Sequence, residues 1–246
     1  MKIPFFEGKF VIESENMPPK VRVIIPAYNE QDSIGKVISE IPAIVTEIIV
    51  VSNNSTDNTE SVARNAGATV LKENQKGYGY ACLLGMQHIA NTAPDTDIVV
   101  FLDGDYSDYP EELLLLIKPI LENNVDMVIG ARSAHLRLSN SMTPQQVFGN
   151  WLATFLMKIF FGAKFTDLGP FRAIKYQKLL ALNMEDKTYG WTVEMQLKAL
   201  KQNLSYVEVP VRYRKRIGVS KVSGTIRGTI MAGVKILGWI FKYSFK

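Results

Sequence analysis

Val99-Val100-Phe101-Leu102-Asp103-Gly104-Asp105 breaks from an apolar run into two carboxylates around a glycine. So short a β-branched, aromatic run reads as a strand buried on both faces. Like charges at the end of such a strand repel each other unless a cation lies between them. Hard oxygen ligands favour Mg²⁺ or Mn²⁺, with a nucleotide diphosphate completing the shell; solvated loop acids are the simpler alternative.

Runs of the same kind recur outward from it, at residues 21–25, 48–51, 69–71 and 127–129, with 98–102 as the fourth of the five. Helical patterns at 32–41, 58–66, 79–90 and 110–122 alternate with them. Asp57 precedes the second helix. Pro110, Glu111 and Glu112 open the fourth, where acids suit the positive helix end. Strand–helix alternation predicts right-handed βαβ units, hence an α/β fold with a mostly parallel sheet flanked by helices. Ligands bind beyond the carboxyl ends of such strands.

Several candidate groups stand at those ends. Ile25-Pro26-Ala27-Tyr28-Asn29-Glu30 offers Pro26 to turn the chain, Tyr28 to pack on a nucleobase, and Asn29 or Glu30 to bind base or ribose. A capped strand-to-helix turn fits the same residues. Residues 52–57, Ser-Asn-Asn-Ser-Thr-Asp, suit a ribose or a loop that satisfies its own backbone. Lys76-Gly77-Tyr78-Gly79 sets a cation and two glycines at a helix start, a phosphate-cradling pattern.

Past residue 130 the rhythm changes to a polar loop (133–143), an apolar helix (144–161), a strand near 171–174, a helix at 191–201, a strand at 206–209, a basic loop and a final helix. Arg132, Arg137, Asp167, Arg172, Glu194, Arg212, Arg214, Lys215 and Arg216 are spread through it. Arginines beside a diphosphate site suit a second phosphate; plain surface charge is the alternative.

The chain has 246 residues, 28 basic and 24 acidic side chains, a net charge of +4 and one cysteine. A lone Cys82 excludes an internal disulfide and a zinc site built on several cysteines; it reads as a small buried hydrophobe. Residues 1–20 lack a signal-peptide pattern and no apolar run spans a bilayer, so a cytoplasmic location is expected. The charge is polarised: after residue 200 lie ten basic residues and one acid, Glu208. In the last segment Ile226, Ile230, Val234, Leu237 and Phe241 form one helical stripe, and Arg227, Lys235 and Lys242 a second, with Trp239 and Tyr243 besides. Such a helix suits an anionic membrane surface; packing on the protein or a second subunit is the alternative, so a homo-oligomer stays open. A continuous apolar face argues against nucleic acid.

Taken together, residues 25–30, Ser-Thr-Asp-Asn-Thr (55–59), Lys-Gly-Tyr-Gly-Tyr-Ala (76–81) and Asp-Gly-Asp (103–105) resemble family 2 glycosyltransferases of the GT-A fold. Val-Ile-Gly-Ala-Arg (128–132), Asp-Leu-Gly-Pro-Phe-Arg-Ala (167–173), Glu-Val-Pro-Val (208–211) and Arg-x-Gly-x-Ser-Lys (216–221) are similar to the branch with dolichyl-phosphate mannose synthase and polyprenyl-phosphate sugar transferases. The resemblance implies a GT-A domain over residues 1–221, an amphipathic extension over 222–246, and inverting hexosyl transfer from a UDP- or GDP-sugar to a polyprenyl phosphate at the cytoplasmic membrane face. It implies that Pro26, Ala27, Tyr28, Glu30, Asn53, Lys76, Asp103, Gly104 and Asp105 bind the donor, and that Asp103 and Asp105 hold Mg²⁺ or Mn²⁺. By the same resemblance Arg132, Arg216, Ser220 and Lys221 bind the acceptor phosphate, and Asp167, Asp105 and Arg216 act in catalysis. An alcohol acceptor would need a base, for which Asp167 or Glu194 are candidates; a phosphate acceptor needs orientation instead. A soluble or protein-bound acceptor, or a non-catalytic sugar-nucleotide-binding subunit, are the other readings. Two positions depart from the family: Ser52 and Asn53 replace an acidic pair, leaving UDP against GDP open, and Ser107 replaces a glutamine.

Overall fold

A computed structural model describes residues 18–218 and 226–244. Its centre is one sheet of β1 (Val21–Ala27), β2 (Val45–Asn53), β3 (Thr69–Glu73), β4 (Ile98–Phe101), β5 (Met127–Ala131), β6 (Arg172–Lys175) and β7 (Tyr206–Pro210). The strands lie in the order β3-β2-β1-β4-β6-β5-β7. All the pairings are parallel except those of β6, which runs antiparallel to both β4 and β5. This is an α/β fold with a mostly parallel sheet flanked by helices, as the alternation predicts.

Period-two alternation divides the strand side chains between two cores. Ile24, Ile49, Val99 and Phe101 face one side, packed with α3 (Tyr78–Thr92), α6 (Tyr176–Leu182) and α7 (Trp191–Lys201). Val23, Ile25, Val50 and Val100 face the other, under α1 (Ile34–Ser39), α2 (Thr59–Asn65) and α4 (Leu113–Asn123). The helix expected over 110–122 opens as a single 3-10 turn, Pro110–Glu112, before α4. The sequence gives no sign of α6, which is two turns long and follows β6 without a break.

Helix α5 (Pro144–Phe161) matches its expected bounds because its ends are well marked. Thr143 and Gln146 form a reciprocal capping box, and Gly162 closes the helix in the left-handed region at φ 62°. The detour through α5 returns the chain to the sheet from the opposite end. The loop entering β6, not the one leaving it, therefore lies at the carboxyl edge of β4 and β5. Asp167 reaches the binding edge by this route.

Helix α8 (Ile226–Ser244) is docked, not detached. Trp239 and Ile240 are buried, and Trp239 Nε1 donates to Asp186 Oδ2 at 2.6 Å. Lys235 pairs with the same carboxylate at 3.2 Å and Lys242 with Glu185 at 3.8 Å. Two of the three cations expected to face a membrane are thus turned toward protein acids; the Arg227 side chain lies outside the described residues. No described helix is long and apolar enough to cross a membrane.

Candidate active site

The turns after β1, β2 and β4, with the start of α3, enclose a cavity of about 270 Å³. Its lining includes Pro26, Ala27, Tyr28, Glu30, Asn53, Lys76, Asp103, Gly104 and Asp105, so every donor-side residue read from the sequence converges there. Arg216, Tyr78 and Tyr189 complete the wall. Asn53 has its amide committed: Nδ2 donates to the Gln75 carbonyl at 2.7 Å and Oδ1 accepts from Gly77 N at 2.8 Å. It thereby clamps the turn that carries Lys76. That turn has no room for side chains, since a Cβ on Gly79 would collide with the Asp186 carbonyl and one on Gly77 with that of Lys187.

The two acids differ in environment. Tyr78 Oη donates to Asp103 Oδ1 at 3.1 Å. Burial pushes the Asp103 carboxyl above its ordinary pKa, against the pull of Arg216 and Tyr78. Asp105 is 2% exposed; its Oδ1 accepts from Ser107 N at 2.9 Å and Ser107 Oγ at 2.5 Å. Its Oδ2 makes no hydrogen bond but lies in an ion pair with Arg216. The segment that brings Arg216 there is laced to the acidic turn by Arg214 N to Ser107 O and Ile217 N to Asp105 O, both 2.9 Å.

A second cavity of about 200 Å³ is lined by Arg132, Ser133, Arg137, Asn150, Thr166 and Asp167 among others. Arg132 grips Asp167 twice, Nε to Oδ2 at 2.9 Å and Nη2 to Oδ1 at 2.5 Å, and its backbone N–H adds a third bond at 2.7 Å. Burial opposes the Asp167 charge, yet the Arg132 guanidinium holds this carboxyl below its ordinary pKa. A carboxylate in that state is a weak base.

Several expected groups stand elsewhere. Arg172 is fully buried, and its side chain donates to the carbonyls of Leu168, Gly169 and Thr192, which fixes the loop beside Asp167; it lines neither of these two cavities. Burial pulls its pKa down to about 10, so it stays charged at neutral pH. Glu194, the other candidate base, is buried on the backbone N–H groups of Glu185 and Asp186 and pairs with Lys198 at 2.7 Å. Arg212 is taken by Glu111 and Glu112, and Arg214 lies between the Tyr106 and Tyr109 rings with Glu40 as partner. Neither arginine lines either cavity. Ser220 and Lys221 lie outside the described residues.

Asp108 was not singled out by sequence, though it closes the run Asp-Gly-Asp-Tyr-Ser-Asp. It is 2% exposed, and both carboxylate oxygens lack a hydrogen-bond partner among the described residues. Burial, then the nearby Asp103 charge, push its pKa up to about 8. At this one site the folded chain therefore holds a proton that the unfolded chain releases between about pH 4 and pH 8, and the contribution of Asp108 to stability falls as pH rises through that window. In chelator-treated protein, urea unfolding at a series of pH values should show Asp108→Asn removing a slope of at most about 1.4 kcal/mol per pH unit. Parallel wild-type and variant curves would contradict this protonation state.

Residues 22–180 match the sequence profile of glycosyl transferase family 2. The chain belongs to that family. An uncharacterized glycosyltransferase of Mycobacterium tuberculosis is 33% identical over 213 residues, which cover 86% of this chain and 94% of that protein. Undecaprenyl-phosphate mannosyltransferase of Micrococcus luteus is 29% identical, covering 87% and 92% respectively. Dolichyl-phosphate hexose transferase of Haloferax volcanii is 29% identical, covering 81% and 85%. Among solved structures, glucosyl-3-phosphoglycerate synthase of M. tuberculosis with Mn²⁺, UDP-glucose and phosphoglyceric acid superposes with a TM-score of 0.73 at 20% identity, covering 92% of this chain and 80% of that one. That likeness establishes the GT-A fold. The cavity at the sheet's carboxyl edge is thus the candidate active site of a family 2 glycosyltransferase.

Proposed function

We propose that this glycosyltransferase moves a sugar, with inversion, from a UDP- or GDP-sugar to a polyprenyl phosphate held in the cytoplasmic membrane face, using Mg²⁺ or Mn²⁺. One observation carries the choice of acceptor. The carboxylate on the second cavity, Asp167, is locked to Arg132, and Glu194 is buried in a structural network. Neither is placed to take a proton from an alcohol. A phosphate is already anionic and needs orientation, which Arg132 and Arg137 supply in the same cavity. The names of the Micrococcus and Haloferax relatives support the same class of acceptor.

The metal fits the residues present. Asp105 Oδ2 is a buried oxygen without a hydrogen bond, Asp103 stands two residues away, and both are hard ligands. No three His, Cys, Asp or Glu side chains converge as a cage among the described residues, so donor phosphates would complete the shell. When bound, the cation supplies neutralisation of the departing diphosphate. Arg216 would exchange its bond to Asp105 for the phosphates of donor or acceptor. Arg132 keeps Nη1 available, since its Nε and Nη2 hold Asp167. Tyr28 and the Asn53-clamped turn enclose the nucleoside side of the donor cavity.

Radiolabelled donors incubated with Mn²⁺ and purified polyprenyl phosphate should yield label in the organic-extractable lipid. Label confined to the aqueous phase with every donor would reject this acceptor, and transfer to a soluble phosphorylated acceptor would replace it.

A further inference from the structure

We propose that the joined outer faces of α5 and α8 form a docking surface for an anionic lipid bilayer, with α5 entering it. This deepens the acceptor reading above by naming the surface that meets the membrane. Phe148, Trp151, Phe155 and Ile159 recur at spacings of three and four along α5 and point outward; Phe148 is 61% exposed and Trp151 55%. Their rings form a ladder, with centroids 5.8 Å apart for Phe148–Trp151 and 5.4 Å for Trp151–Phe155. Ala153 and Met157, on the opposite side, are buried. On α8 the exposed apolar side chains include Ile230, Met231 and Val234, with Phe241 meeting Phe160 of α5 edge to face at 5.8 Å. The two helices thus present one continuous apolar surface, larger than scattered exposed side chains would make.

Charge identifies what covers it. The sequence holds no acid between Asp126 and Asp167 and none after Glu208, so neither helix carries one. Lys158 is exposed on α5, and Lys235 and Lys242, although paired with Asp186 and Glu185, keep nearly half of their side-chain surface in solvent. Two copies facing each other across this patch would bring like charges together, whereas anionic headgroups would be met by cations around an apolar centre. Val147 and Asn150 of α5 also line the second cavity, so a docked α5 sets that cavity's mouth at headgroup level. A polyprenyl phosphate then reaches Arg132 without leaving the bilayer.

Trp151 is exposed while Trp191 and Trp239 are buried, so tryptophan emission reports on α5. Vesicles of phosphatidylglycerol and phosphatidylcholine should shift that emission to the blue, and brominated acyl chains should quench it. Replacing Phe148 and Phe155 together by Ser should weaken vesicle co-sedimentation about tenfold or more, with thermal unfolding unchanged. Lys158→Glu should weaken it on phosphatidylglycerol and leave phosphatidylcholine alone. Unchanged emission with these vesicles overturns the proposal. So does a dimer in light scattering whose Trp151 is already shielded. A short-chain, water-soluble polyprenyl phosphate separates the two readings: the Phe148→Ser/Phe155→Ser variant should still glycosylate it. Wild-type protein that docks on vesicles but glycosylates neither short nor long polyprenyl phosphate upholds the surface and removes the acceptor.

Discussion

Asp105→Ala is expected to lower sugar transfer by about a thousandfold or more, the scale reached when charge stabilisation of a leaving group is lost. It should also abolish Mn²⁺ binding measured by titration calorimetry in the presence of UDP or GDP. The side chain is buried at the end of β4, and among the described residues its Oδ2 is ion-paired with Arg216. Removing it leaves Arg216, a quarter exposed, able to turn to solvent, so the fold should survive. Asp105→Asn is the stricter variant, since an amide oxygen still accepts from Ser107 while the charge is gone. Transfer or Mn²⁺ affinity close to wild type in either variant would remove the metal role from this residue.

Asp167→Ala should act on stability as well as on activity. The Arg132 side chain is 11% exposed and Asp167 6%, and removing the acid strands a buried guanidinium. Breaking such a pair costs about 3–5 kcal/mol, which urea unfolding measures directly. The double variant Arg132→Met/Asp167→Leu replaces the pair with apolar volume and should regain most of that loss while transfer remains absent. A single variant within about 1 kcal/mol of wild type would show the pair to be solvated and unimportant. A double variant that transfers sugar would dismiss Arg132 as an acceptor contact.

The proposed donor side was legible in sequence because its residues follow parallel strands. The turns after β1, β2 and β4 open at one sheet edge, so Tyr28, Asn53, Asp103 and Asp105 could be brought together from strand order alone. The acceptor side was harder to read for a topological reason. Asp167 precedes its strand and reaches the edge because β6 runs against its neighbours, a reversal that hydrophobic pattern does not encode. Charge type also misled. Arg172, Arg212 and Arg214 look like phosphate ligands in a basic stretch, yet burial assigns the first to backbone carbonyls, and acids and tyrosine rings take the other two. Asp108 passed unremarked because a third acid in a loop is ordinary until its surroundings are known.

On α8 the expected periodicity is present, and one edge of the helix packs on the protein. The apolar stripe is there, but Trp239 and the lysines turn inward to Asp186 and Glu185, and Ile230, Val234 and Phe241 remain outside. Two acids in one loop decide that rotation, and nothing in the helix itself records them.

The reversed β6 also separates the two halves of the chemistry along the chain. One uninterrupted stretch, Ala131 to Asp167, supplies the residues that line the second cavity. The first draws on the chain up to Asp105, joined by Tyr189 and Arg216. On the proposed assignment of donor to the first cavity and acceptor to the second, the two substrates are read largely by different passages of the sequence.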